Sequence, residues 1–213
     1  MRSNYNIIRS YSRYLMLSVL CLAGLVTTWA TGGTRDSTNT SDPAYAGLDA
    51  ATIARLRADF TEAVESMAAT EEAITAMDTL FPADRLLWPP IARAYRASLE
   101  GLIGKHSPKL LEKLNRVNAA IADYDGLIET CPESLELLFM RFAFYSQLPG
   151  IFGVGSHVKP DRALLTDMLE QGNDQHVPDS QKLEMITWIL KDGKPDKAEA
   201  SRLRAAAAQL GGR

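Results

Sequence analysis

The stretch Leu135-Glu-Leu-Leu-Phe-Met-Arg-Phe-Ala-Phe-Tyr-Ser-Gln-Leu148 is apolar on nearly every face when wound as a helix, and Pro149-Gly150 ends it. Such a helix belongs at the centre of an all-α fold with other helices wrapped around it. Its single cation, Arg141, has no polar face to sit on. A buried guanidinium is costly unless it is paired, so a carboxylate such as Glu136 or Asp161, or a ligand anion, is expected beside it.

The flanking segments are helical too. Ser107-Pro108 opens a helix with the stripe Leu110, Leu114, Val117, Ile121, Tyr124 and Ile128, which ends at Pro132. Before it, Trp88-Pro89-Pro90 starts a helix that carries Ile91, Tyr95, Leu99, Leu102 and Ile103 at helical spacing and is expected to stop at Gly104. Further upstream Ile53, Phe60, Met67 and Ile74 recur every seven residues, with Leu56, Ala63 and Met77 alongside. That pattern predicts one long helix, or two nearly collinear ones divided near Thr70, whose stripe packs within the chain rather than building a dimer. Downstream, residues 150–159 read as an irregular loop with an exposed Phe152, followed by helices over 161–171, 180–191 and 197–210. No segment alternates as a strand does. Short links between successive helices imply stacked antiparallel helical hairpins.

Ala120, Tyr124, Leu127 and Pro132 stand at the small, aromatic, apolar and proline positions that close the second helix of a tetratricopeptide repeat. Near the C-terminus Trp188, Gly193, Ala198 and Ala205 are spaced like that family's inter-helix turn and packing alanines. The chain thus resembles a degenerate tetratricopeptide-like α-solenoid or α-α superhelix, over residues 86–148 and, more weakly, 180–210. It departs from the pattern in the first helix of each repeat, where the Trp, Leu, Gly and Tyr positions are not matched. Ala94-Tyr95, Lys105-His106, Pro108, Glu136, Arg141-Phe142, the run from Leu148 to Gly153, and Asp161 are similar to recurring residues of a group of uncharacterised exported bacterial helical proteins. The second resemblance implies no activity.

The N-terminus reads as an address. Arg2, Arg9 and Arg13 precede an apolar run from Leu15 to Val26 and the small residues Thr27, Thr28 and Ala30, so residues 1–30 are expected to be a cleaved signal peptide or a retained membrane anchor. The uncharged segment 14–30 would span about 26 Å as a helix, just short of a bilayer core. Residues 31–47 are small and polar, as a flexible tether is, and 48–213 form the helical-repeat domain. The body is therefore expected to be exported, either periplasmic or anchored on the outer face of the inner membrane. With the leader removed only Cys131 remains, so no disulfide forms within the body and Cys131 is expected to be a buried apolar residue at a helix end.

The 213 residues are 46% apolar and 23% charged with a net charge of −3, an ordinary globular composition. Three of the 23 basic residues lie in the leader, which has no acid, so the remainder carries 20 basic against 26 acidic residues. An acidic body argues against nucleic-acid binding. His106, His157 and His176 are isolated, no metal or cofactor motif is present, and Gly150, Gly153 and Gly155 lack the strand and Gly-Lys-Ser/Thr ending of a phosphate loop. No paired carboxylates mark a catalytic site, so the chain is expected not to be an enzyme but a module binding a protein or peptide on its concave surface, as a scaffold or accessory component of the cell envelope. The alternative is a small-ligand binder or enzyme whose pocket is capped by residues 149–159. In either case Arg93, Tyr95, His106, Arg141 and Phe152 are the candidates to line one pocket.

Overall fold

The computed structural model describes residues 42–172 and 174–212; the leader and most of the tether lie outside the described residues. Among the described residues there are eight α-helices and no strand. A short 3-10 turn at Pro43–Tyr45 leads into α1 (Ala50–Ala63), which Asp49 caps by accepting the Thr52 amide at 2.7 Å. Ser66 caps α2 (Met67–Leu80) in the same way.

The break in the heptad stripe thus falls at residues 64–66, before Thr70, and the two helices are not collinear. Arg55 of α1 shares a furrow with Glu71, Thr75 and Thr79 of α2, which places them as an antiparallel hairpin. Thr70 is what closes the corner. Its hydroxyl lies 2.8 Å from both the Ala63 and the Ser66 carbonyl oxygens, so it satisfies a carbonyl that the end of α1 would otherwise leave without a partner. The stripe is used internally: Ile53, Leu56, Ala63 and Met77 are all buried.

α3 (Pro90–His106) runs two residues beyond the expected stop. Gly104 lies buried inside α3 rather than capping it, on the side that faces α4, where a Cβ would make ordinary contact 3.4 Å from Arg116 Cβ and 3.5 Å from the Lys113 carbonyl oxygen. α4 (Leu110–Thr130) packs against α3 through Ala120, Tyr124 and Leu127, all fully buried. The Tyr124 hydroxyl meets Ser98 Oγ and the Ala94 carbonyl of α3. Because Gly104 is opposite residues 113–117, the first turn of α4 overhangs the end of α3. Leu110, read as part of the packed stripe, is exposed instead.

α5 (Leu135–Gln147) divides the interior in two. Leu137, Met140 and Tyr145 join a core built from α1 to α4, whereas Leu135, Leu138 and Phe142 join a second core with the three helices that follow. Those are α6 (Gly155–Gln171), α7 (Asp179–Asp192) and α8 (Lys197–Gly211).

Residues 149–159 do not form the expected loop. A 3-10 turn at Gly150–Phe152 ends at Gly153, whose φ of +73° suits glycine, and α6 begins at Gly155, six residues earlier than predicted. Pro160 sits inside α6, where it forfeits only the bond to the Ser156 carbonyl. Phe152 is half-buried against the first core, and it is Ile151 that is exposed. Cys131 is buried just after α4, as expected. In α8 the packed positions are Glu199, Leu203, Ala206 and Leu210, while Ala198 and Ala205 face solvent, one residue off the repeat-like spacing.

Buried ion pairs link the second half. Arg141 of α5 grips Asp161 of α6 through Nε at 3.0 Å and Nη2 at 2.6 Å, so Asp161 and not Glu136 is its partner. The next residue, Arg162, donates to Glu199 of α8 at 2.8 Å and to the Gly193 carbonyl at 3.2 Å. Breaking such a pair leaves one charge stranded in the interior. Asp161→Ala is therefore expected to lower the unfolding free energy by about 3 to 5 kcal/mol in urea titration, and adding Arg141→Met is expected to recover much of that loss. A loss below about 1 kcal/mol would contradict the assignment.

Candidate functional site

Glu136 is the second residue of α5, in a turn buried on all sides, and it is 1% exposed. A carboxylate placed there must collect donors. Its Oε1 accepts from Arg57 Nε at 2.9 Å, from the Tyr95 hydroxyl and from Gln181 Nε2 at 3.0 Å. Its Oε2 accepts from Arg57 Nη2 and from the Tyr45 hydroxyl, each at 2.6 Å. Arg57 also donates to the His176 carbonyl at 3.1 Å, and the His176 ring stacks on Tyr45 with centroids 4.5 Å apart. One carboxylate thereby joins the N-terminal turn, α1, α3, α5 and the start of α7.

The electrostatics follow from that arrangement. Burial by itself would raise the Glu136 carboxyl, but the hydrogen bonds and charge of Arg57, with the two phenols, outweigh it and hold Glu136 below the ordinary carboxylate value. Burial, reinforced by the Glu136 charge, pushes both Tyr45 and Tyr95 well above the usual phenol range, so they act as neutral donors.

Above this cluster lies a groove of about 430 Å³. α1 contributes Ala54, Arg57, Phe60 and Thr61, α3 contributes Tyr95, and α5 contributes Glu136, Phe139 and Met140. The opposite wall is Pro178 with Ser180, Gln181, Glu184 and Met185 of α7. Its size falls in the range of ordinary ligand clefts. A larger recess, about 670 Å³, is the open furrow between α1 and α2, lined by solvated side chains such as Glu71, Glu72 and Thr75 with no buried group at its floor. The groove over Glu136 is the candidate site because buried polar groups and aromatic walls converge there.

Of the residues singled out from sequence, only Tyr95 reaches this groove. Arg93 points to α4, 3.8 Å from Asp123. His106 ends α3, eleven residues and about 16 Å along the helix from Tyr95. Arg141 is committed to Asp161, with Asp125 3.7 Å away and the Tyr145 ring 5.8 Å beneath it. Phe152 is half-buried against the first core. These five do not line one pocket, and no residue of 149–159 contributes to the groove. Arg57, Glu136 and Gln181 went unnoticed as a group because they are 79 and 45 residues apart in sequence.

Among the described residues no group of His, Cys, Asp and Glu is arranged to hold a metal ion, and no helix is long and apolar enough to cross a membrane. No family model, curated protein or solved structure matches this chain.

Glu136→Gln leaves the Arg57 guanidinium without a counterion and is expected to cost about 3 kcal/mol in urea titration. The pH dependence has a definite sign. The folded-state value of Glu136 lies below the unfolded value of about 4.5, so the unfolded chain takes up the proton first. The stabilisation is complete above about pH 4.5 and is lost as pH falls through the folded-state value. The Gln variant is expected to show a shallower loss of stability over that interval than the parent, and equal slopes would contradict the assignment.

Proposed function

We propose that this chain is a non-enzymatic binding module of the cell envelope that holds a protein or peptide segment in the groove between α1, α5 and α7. The observation that carries the reading is the composition of the groove: aromatic and thioether walls over a carboxylate that is already saturated. With both oxygens of Glu136 engaged by Arg57, Tyr45, Tyr95 and Gln181, no acceptor remains to take a proton from a guest. Apolar walls with a polar lip suit a bulky side chain held by its neighbours' backbone.

Glu184 refines the reading. It stands on the α7 wall with no ion partner among the described residues, and burial pushes its carboxyl up. A guest cation there would relieve that cost, so the preferred segment carries lysine or arginine next to a bulky apolar residue. A tetratricopeptide-like stack of hairpins would hold such a groove rigid. Export is supported by the basic, apolar leader and polar tether of residues 1–47, which makes the module periplasmic or anchored on the outer face of the inner membrane. Its acidic body agrees with a protein partner rather than nucleic acid.

The test is selection of a random dodecapeptide library on the full chain, followed by calorimetry with the winners. Peptides pairing a cation with a large apolar residue are expected, and Ser180→Arg or Thr61→Arg, which fill the lip, are expected to weaken them at least tenfold with the fold unchanged. No enrichment, or winners indifferent to both substitutions, would overturn the reading.

A further inference from the structure

The exposed leucines at the two ends of α3 differ in their electrostatic surroundings. Leu110 and Leu111, in the overhanging first turn of α4, are 52% and 70% exposed. Around them stand Lys105 and His106 at the end of α3, Lys109 immediately before α4, and Lys113 within its first turn. The Lys113 ammonium donates to the Lys105 carbonyl at 3.2 Å, which draws the cations together. Burial and the charges of Lys105 and Lys113 hold the His106 imidazole below its ordinary value, which reports the same crowding. The acids nearby are already occupied. Glu112 accepts from Ser107 Oγ at 2.9 Å and lies 3.7 Å from Arg116, and Glu65 faces Lys105. Lys109 is exposed and has no ion partner among the described residues.

At the other end of α3, Leu86 and Leu87 are 76% and 70% exposed, but their neighbours are Asp84, which caps their own turn, and the Asp78–Arg85 pair. The same two apolar side chains are thus set in a cationic field at one end only.

We propose that the tip formed by Leu110 and Leu111 with Lys109 and Lys113 docks on a membrane surface that contains anionic lipid. Leu110 and Leu111 project into solvent from the overhanging turn, so they suit a fluid interface that reshapes around two inserted leucines, whereas a protein partner would need a matching cavity. Two leucines at acyl depth with Lys109 and Lys113 at headgroup level combine the two weak signals that peripheral binding requires. This inference does not rest on the groove and stands or falls separately from it.

The experiment uses the full chain with Cys21→Ser and an environment-sensitive fluorophore attached through Leu111→Cys; Cys131 is buried and does not compete for label. The label is expected to brighten several-fold and shift to the blue on phosphatidylcholine vesicles containing phosphatidylglycerol, much less on phosphatidylcholine alone, and less at high salt. The same label attached through Leu86→Cys is expected to remain in water. Lys109→Glu with Lys113→Glu, whose helicity and melting are checked against the parent, is expected to abolish the change at position 111. A label at position 111 that stays silent on the anionic vesicles would overturn the proposal and leave an acidic protein as the alternative occupant. Equal signals at 86 and 111, or an undiminished signal after charge reversal, would overturn it as well.

Discussion

The buried Glu136 carboxylate ties the N-terminal turn, α1, α3 and α7 to α5. Removing an ionised carboxylate from water costs several kcal/mol after relaxation, and the cost is offset only if donors fill its lone pairs. Here the donors come from Tyr45, Arg57, Tyr95 and Gln181, separated from Glu136 by 91, 79, 41 and 45 residues. None can reach it unless its own element is seated, so one buried charge demands the simultaneous docking of the N-terminal turn, α1, α3 and α7. Hydrophobic burial supplies the larger driving force but is tolerant of register. The carboxylate adds the directional requirement.

The same logic repeats along the chain. α5 sits between the two cores and presents a charge to each half: Glu136 towards α1 and α3, Arg141 towards α6. Arg162, the neighbour of Asp161, continues the series to Glu199, and Glu199 in turn accepts the Asp196 amide in the capping box that starts α8. Each link joins two helices, so the fold is tied by polar contacts as well as by apolar area. The groove above Glu136 follows from this construction, since α1 and α7 are both pinned to the same carboxylate and remain apart above it.

Helix positions were legible in the sequence because their signals are local. Prolines at 89, 90, 108, 132 and 149 mark boundaries that hold, and the all-round apolar character of 135–148 placed that helix at the centre. Errors arose where a local signal had a tertiary competitor. The glycine-rich residues 150–159 read as a loop and so gave α6 a later start, yet a helix through Pro160 can bury Asp161 and Arg162 on its partners and forgo one backbone bond. Gly104 suggested a stop, yet α3 continues through it to His106 with Gly104 buried against α4. The continuous heptad stripe hid a corner that depends on a hydroxyl, Thr70, finding a carbonyl seven residues back. The candidate site was least legible because its members are brought together only by folding. One signal was available: the argument that Arg141 needs a partner in an all-apolar helix applies equally to Glu136, five residues earlier on the same helix.

The most direct test is native-state hydrogen exchange on the Glu136→Gln variant. If the carboxylate seats the distant elements together, amides of α1, the start of α3 and the start of α7 lose protection by a common amount while the α6–α8 contacts around Arg162 keep theirs. Unchanged protection in α1, or a loss confined to α5 itself, would contradict the account.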